Sequence, residues 1–172
     1  MTRMDETGAR TVANTVGGLF HEVHKGIREQ VEGVDGEALN WKPHPDANSV
    51  AVLVVHTLGS EREMIRAVRL LSTERDRPAE FTAEADAADL LALLDRADRE
   101  LDEHVAAITG ADLTEMRPRG DRPPRPGLEW LVANYGHARE HLAQIQLTRQ
   151  LYKGMRGNLE VPPHRGARRQ HS

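Results

Sequence analysis

An all-α fold, a bundle of four helices, is what this sequence predicts, and three observations predict it. Four segments carry apolar residues that step by three and four, the spacing of a buried helix face. Glycine and proline gather between those segments, where a chain must turn. With 172 residues, the chain can bury a core without staples, since roughly two-thirds of its unfolded surface disappears on folding. The expected organisation is one domain over residues 1–153 and a tail over 154–172.

The first helix is expected from about Thr7 to Glu32, with Val12, Val16, Leu19, Phe20, Val23, Ile27 and Val31 as its stripe. Gly17 and Gly18 weaken it from within, and Gly33 and Gly36 end it. Pro43 and Pro45 keep the following loop extended. Ser49 is a good N-cap for the second helix, which is expected to run to about Leu71. A charged link, Ser72 to Ala85, leads to the third helix. Asp86 caps that helix, Asp89 suits the positive end of its dipole, and Gly110 closes it. The segment from Asp112 to Gly127 holds four prolines and four arginines and reads as a loop. Loops of that length in compact domains are often functional. The fourth helix is expected from near Leu128 to near Tyr152.

Composition narrows the chemistry. No cysteine occurs, which excludes disulfides, iron–sulfur clusters, thiolate zinc sites and a protein thiol nucleophile. No stretch approaches the ~20 apolar residues of a membrane span. Met1 to Arg10 lacks an apolar signal core, so the expectation is a cytoplasmic protein with no membrane partner. The formal charge is -4, aromatics are 3%, and no helix carries a basic stripe, so nucleic acid is not an expected partner.

The nine histidines separate by position. His44 lies between prolines, and His164 and His171 lie in the tail; all three read as solvated. His21 sits about 140° from the centre of its helix's stripe and should face water, whereas His24, about 80° away, lies at the edge. His104 reads as a boundary residue. His137 and His141 stand four apart on one helix, so their rings stack on one face. Apolar neighbours place that pair at or near the interior. His56 lies in Val52-Leu53-Val54-Val55-His56-Thr57-Leu58, a run with no other ionisable group. A histidine there needs a partner. Three interior imidazoles on two helices suit an open metal site with water or substrate in the remaining positions; the alternative is that hydrogen bonds alone satisfy them. His137-Ala138-Arg139-Glu140-His141 lacks the glutamate of H-E-x-x-H, so protease chemistry is not expected.

An ordered set of motifs carries a resemblance. It comprises Leu39-Asn40-Trp41-Lys42-Pro43, Ser49 leading to Val55-His56-Thr57-Leu58, Leu128-Glu129-Trp130-Leu131, and His137-x-x-x-His141 with Gln144-Ile145. Over about residues 7 to 153 the chain resembles the DinB-like superfamily. That resemblance implies a DinB-like four-helix bundle with long crossover loops. It also implies a divalent metal, zinc, nickel, iron or manganese, held by His56, His137 and His141. The superfamily includes mycothiol- and bacillithiol-dependent enzymes, in which the metal is taken to activate a low-molecular-weight thiol cosubstrate. A chain without its own cysteine suits that chemistry.

The function expected is therefore metal-dependent transfer of a small thiol to an electrophile. Two alternatives stand beside it. One is a metal-assisted hydrolase, for which Glu63 on the helix of His56 is the candidate base. The other is a non-enzymatic metal-binding stress-response protein acting as a homodimer, through apolar residues such as Leu147 and Leu151 that the bundle leaves over. The arginines from Arg117 to Arg125 precede the helix with two of the histidines and are expected to lie near the metal mouth.

Overall fold

The computed structural model describes residues 4–160. In chain order its elements are α1 (Glu6–Val31), α2 (Gly36–Asn40), α3 (Val50–Val68), α4 (Arg77–Glu80), α5 (Ala87–Ala107), α6 (Gly110–Thr114), β1 (Met116–Arg119), β2 (Arg122–Pro126) and α7 (Gly127–Glu160). The four long helices are the expected ones. α1 packs on α5 and α7, and α3 packs on the same two. Consecutive helices α1 and α3 are therefore diagonal, as are α5 and α7, and the links between them cross the end of the bundle.

Local chemistry starts these helices where the sequence indicates. Asp5 accepts the Gly8 N–H at 2.7 Å, and Ser49 accepts the Val52 N–H at 3.2 Å. Asp86 and Asp89 form a reciprocal capping box. The core is Phe20, Val23 and Ile27 of α1, Leu53, Val54 and Met64 of α3, Leu90, Leu94 and Leu101 of α5, and Leu131 and Ile145 of α7. Each such side chain contributes roughly 1.5–3 kcal/mol by leaving water. α1 runs unbroken through Gly17 and Gly18. No helix among the described residues is long and apolar enough to cross a membrane.

Several boundaries differ from expectation. Gly110 does not close the third long helix; α5 stops at Ala107, and Gly110 opens α6 behind the Thr109 cap. The segment after Asp112 is not an open loop, because β1 and β2 pair antiparallel within it. The charged link contains α4, capped by Asp76. α7 continues past Tyr152 to Glu160, and Leu71 lies beyond α3, exposed. His164 and His171 fall outside the described residues.

His24 is also placed differently. It is 1% exposed, at the junction of α1, α3 and α5. Its Nε2 faces Glu61 Oε2 at 2.9 Å and its Nδ1 faces Asp98 Oδ1 at 2.7 Å. Burial pulls its pKa down, but the hydrogen bonds and charges of Glu61 and Asp98 outweigh it and hold the pKa above the ordinary value. With both nitrogens aimed at carboxylates, the surroundings favour the imidazolium form. Asp98 also receives His21 at 3.0 Å and Arg28 at 2.9 Å. His21 is thus half-buried and hydrogen-bonded rather than free in water. The periodicity reading erred because α5 offers these rings a polar face, so burial did not require an apolar one.

Candidate metal centre

His56 projects from the middle of α3 and is 6% exposed. Its Nδ1 donates to Glu80 Oε2 at 2.9 Å. That bond fixes the tautomer and leaves Nε2 with a bare lone pair. Glu80 ends the short helix α4 and is itself held: Arg75 donates from Nε to Oε1 at 2.6 Å and from an Nη to Oε2 at 2.7 Å. Gly59 makes this approach possible, because a Cβ there would run into the Glu80 carboxylate. The His56 ring also rests on Phe81, with centroids 4.9 Å apart.

The other two imidazoles come from α7, the helix beside α3. His137 and His141 bring their Nε2 atoms to 3.2 Å. His141 Nδ1 donates to Gln144 Oε1 at 2.9 Å, which turns a bare Nε2 toward its neighbours. The His56 ring centroid lies 5.4 Å from that of His137 and 5.0 Å from that of His141. One ligand atom from each ring lies within 4.8 Å of the other two.

This donor set fits a divalent ion. Two nitrogens bonded at ~2.0–2.1 Å to a tetrahedral ion sit ~3.3 Å apart, close to the His137–His141 spacing. His137 and His56 also favour the neutral form that a ligand needs. His137 is pushed down to about 4, by burial first, then by the charges of His141, His56, Arg75 and Arg119. Burial lowers His56 too, against the opposing pull of Glu80. The second cluster of this kind among the described residues, His21, His24 and Asp98, fits an ion less well. Its 2.7 Å contact between His24 and Asp98 is the spacing of a shared proton. Two ligands of one ion with such bonds stand about 2.9 Å or more apart.

A cavity of about 650 Å³ opens beside two of the three rings, lined among others by His56, His137, Trp130 and Asn134. The hairpin of β1 and β2 forms its rim. Arg119, Arg122 and Arg125 line it, but Arg117 does not. Arg117 is 5% exposed and is structural, donating to Val68 O at 2.7 Å and pairing with Asp112 and Glu115. Of the four arginines expected near the metal mouth, Arg117 therefore lies away from it. Glu63 lines the cavity but is committed to Arg75 at 2.8 Å and Arg119 at 3.4 Å. His44 is exposed, and His104 lies against Arg69.

Three parts of this site escaped the sequence reading. Arg75 and Glu80 sat in what read as a plain charged link, although Asp76-Arg77-Pro78 is a recognisable helix start. The hairpin had a signal in Gly120-Asp121, a two-residue connection between basic runs; Gly120 takes φ +51, as such turns require. Asn134 had no signal at all.

Comparison with known proteins agrees with this architecture. The model of the DinB superfamily matches residues 19–145. A conserved protein from Enterococcus faecalis superimposes with a TM-score of 0.68 at 18% identity, covering 82% of this chain and 96% of its own. A DinB-like protein from Bacillus cereus gives 0.65 at 14% identity, covering 79% and 91%. No curated protein matches the chain. With the family pattern spanning most of its length, and the bundle and histidine cluster in place, the chain belongs to the DinB superfamily.

Proposed function

We propose that the protein is a divalent-metal-dependent thiol S-transferase, with His56, His137 and His141 as the metal ligands and a mycothiol- or bacillithiol-like molecule as cosubstrate. The observation that carries this reading is the convergence of three imidazoles, two of them, His56 and His137, lining an open cavity, in a chain with no thiol of its own. A divalent ion supplies Lewis acidity, which lowers the pKa of a thiol that reaches it. The residues do the rest. Glu80 and Gln144 orient His56 and His141, and the cavity receives the electrophile. The sulfur forms its bond to the electrophilic carbon as the leaving group departs with its electron pair, and the thiol proton passes to solvent. Such thiols are kept reduced in the cytoplasm, where this reading places the protein.

Hydrolysis fares worse as a reading, because Glu63, its candidate base, is held by two arginines. A homodimer goes with either reading: Leu147 and Leu151, one turn apart on α7, are 55% and 46% exposed. The test is turnover of a generic electrophile with a panel of cellular thiols, with and without zinc, nickel, iron or manganese. Turnover that needs both thiol and metal supports S-transfer. Full turnover without thiol supports hydrolysis, and none under any condition leaves a non-enzymatic metal protein.

A further inference from the structure

We infer that the cavity beside His56 and His137 selects a small dicarboxylate, held by the arginines of the hairpin and of α4. The inference rests on the reading of that cavity as the substrate site.

Five guanidinium groups line the cavity, and no lysine does. Two of them are neutralised within the protein. Arg75 is bound to Glu80 and Glu63, and Arg119 shares Glu63. Among the described residues, Arg77, Arg122 and Arg125 have no carboxylate within ion-pair distance, and Asp121 is the other acid on the lining. Three guanidiniums against one carboxylate leave an excess of two positive charges. A dianion cancels that excess.

The register of the hairpin brings two guanidiniums of the cavity face to face. Arg119 stands directly opposite Arg122 across the strands. Like charges placed opposite one another disfavour a hairpin. A ligand anion between them removes that penalty. Two of the groups are also pre-positioned. The Arg125 and Arg119 guanidiniums lie 5.2 Å and 5.6 Å from the centre of the Trp130 ring. Trp130 is itself buried, and its Nε1 donates to Arg117 O at 2.9 Å. The planar fork of arginine matches a carboxylate with two parallel hydrogen bonds.

Asn134 gives an independent indication of a ligand. It lines the same cavity and is 4% exposed. Its Nδ2 donates to Ser60 Oγ at 3.0 Å, while Oδ1 has no partner. Turning the amide over would give Oδ1 the serine hydroxyl and leave the N–H group unpaired instead. Of the two orientations, only the turned-over amide, with its N–H group free, can donate to a carboxylate, because Oδ1 and a carboxylate both accept. The cavity volume falls within the range of small-molecule sites, about 300–1,000 Å³.

The test is calorimetric titration of the zinc-loaded full chain, without thiol, using succinate, succinamide, butyrate and phenyl phosphate. Succinate should bind at least about tenfold more tightly than neutral succinamide or singly charged butyrate. The R77A/R122A variant, whose changes lie at exposed positions, should lose about tenfold for succinate and nothing for succinamide. R122K, which keeps the charge but not the fork, should fall between. Equal binding of succinate and succinamide, no binding of either, or an unaltered double variant would overturn the inference. Preference for phenyl phosphate over succinate would overturn the dicarboxylate assignment. Arginine-dependent succinate binding without any thiol turnover would sink S-transfer and leave this inference standing. Thiol turnover with a KM indifferent to the electrophile's charge would do the reverse.

Discussion

Glu80 accepts the Nδ1 proton of His56 at 2.9 Å, from a helix that spans only Arg77–Glu80. Carboxylates behind a ligand histidine fix its ring and raise its basicity, and their loss typically costs about 10–100-fold in metal affinity. Glu80→Gln should therefore weaken zinc binding by about that factor. Gly59→Ala should do the same without touching either residue, because the added methyl displaces the carboxylate. Competition against a fluorescent chelator measures both. Wild-type affinity in both variants would show that this carboxylate has no part in metal binding.

Replacing His141 by alanine should abolish thiol transfer and leave the bundle standing. Two remaining imidazoles hold an ion poorly. The core of α7, in contrast, rests on Leu131, Ala138, Leu142 and Ile145. The metal-free variant should melt within about 2–4 °C of the metal-free parent, the shift expected for about 1 kcal/mol in a chain of this size. Retained activity with bound metal would remove His141 from the ligand set.

Metal removal should lower the melting temperature of the parent, since an ion bound only by the folded state stabilises it by mass action. In metal-free protein, acid should add a second loss. The folded-state pKa of His137 is about 4, below the ~6.5 of an unfolded imidazole. The unfolded chain therefore takes up that proton first, and stability falls as pH drops from about 6.5 towards 4. Urea midpoints of the parent and His137→Gln over that window measure it; an unchanged slope in the variant would contradict the assignment.

His24 should act in the opposite sense. Its folded-state pKa lies above the ordinary value because Glu61 and Asp98 outweigh the burial that opposes them. The stabilisation it brings is complete below about pH 6.5 and is lost as pH rises through the folded pKa. His24→Gln should reduce the decline in urea midpoint on the alkaline side. A variant that declines as the parent does would place that dependence elsewhere.

Exposed Leu147 and Leu151 predict self-association. Sedimentation should find a dimer at micromolar concentration, and L147E/L151E should give a monomer with an unchanged helical spectrum. A monomeric parent would refute the interface.

The long helices and the pairing of His137 with His141 were legible in the sequence for a common reason, whereas His56 was marked by its apolar run and joined to the pair by the family resemblance. The helices and the pair depend on repeated spacing, and a helix turns spacing into direction. Leu53 and Met64, or His137 and His141, could be assigned a face without knowing what lay opposite. The pairing of His56 with Glu80 was not legible, because nothing local to either residue specifies the other. Arg75 and Glu80 looked like ordinary solvated charges, and their burial follows from the way the link after α3 folds back over Gly59. His24 shows the converse error. An apolar stripe is one mark of burial, yet Glu61 and Asp98 make a buried place for His24 without one. Arg117 failed similarly, since composition grouped it with Arg119 and Arg122, while the bulge between Arg117 and Arg119 separates their destinations.

The diagonal placement of consecutive helices has a kinetic meaning. α3 and α7 supply the three histidines, and all of α5, α6 and the hairpin are synthesised between them. Their contact is non-local, so its loop-closure entropy is met before any reward from packing. An ion that needs His56 together with His137 and His141 can be captured only after α7 has docked. The spectrum of cobalt added during refolding would then work as a clock for the docking of α7 against α3.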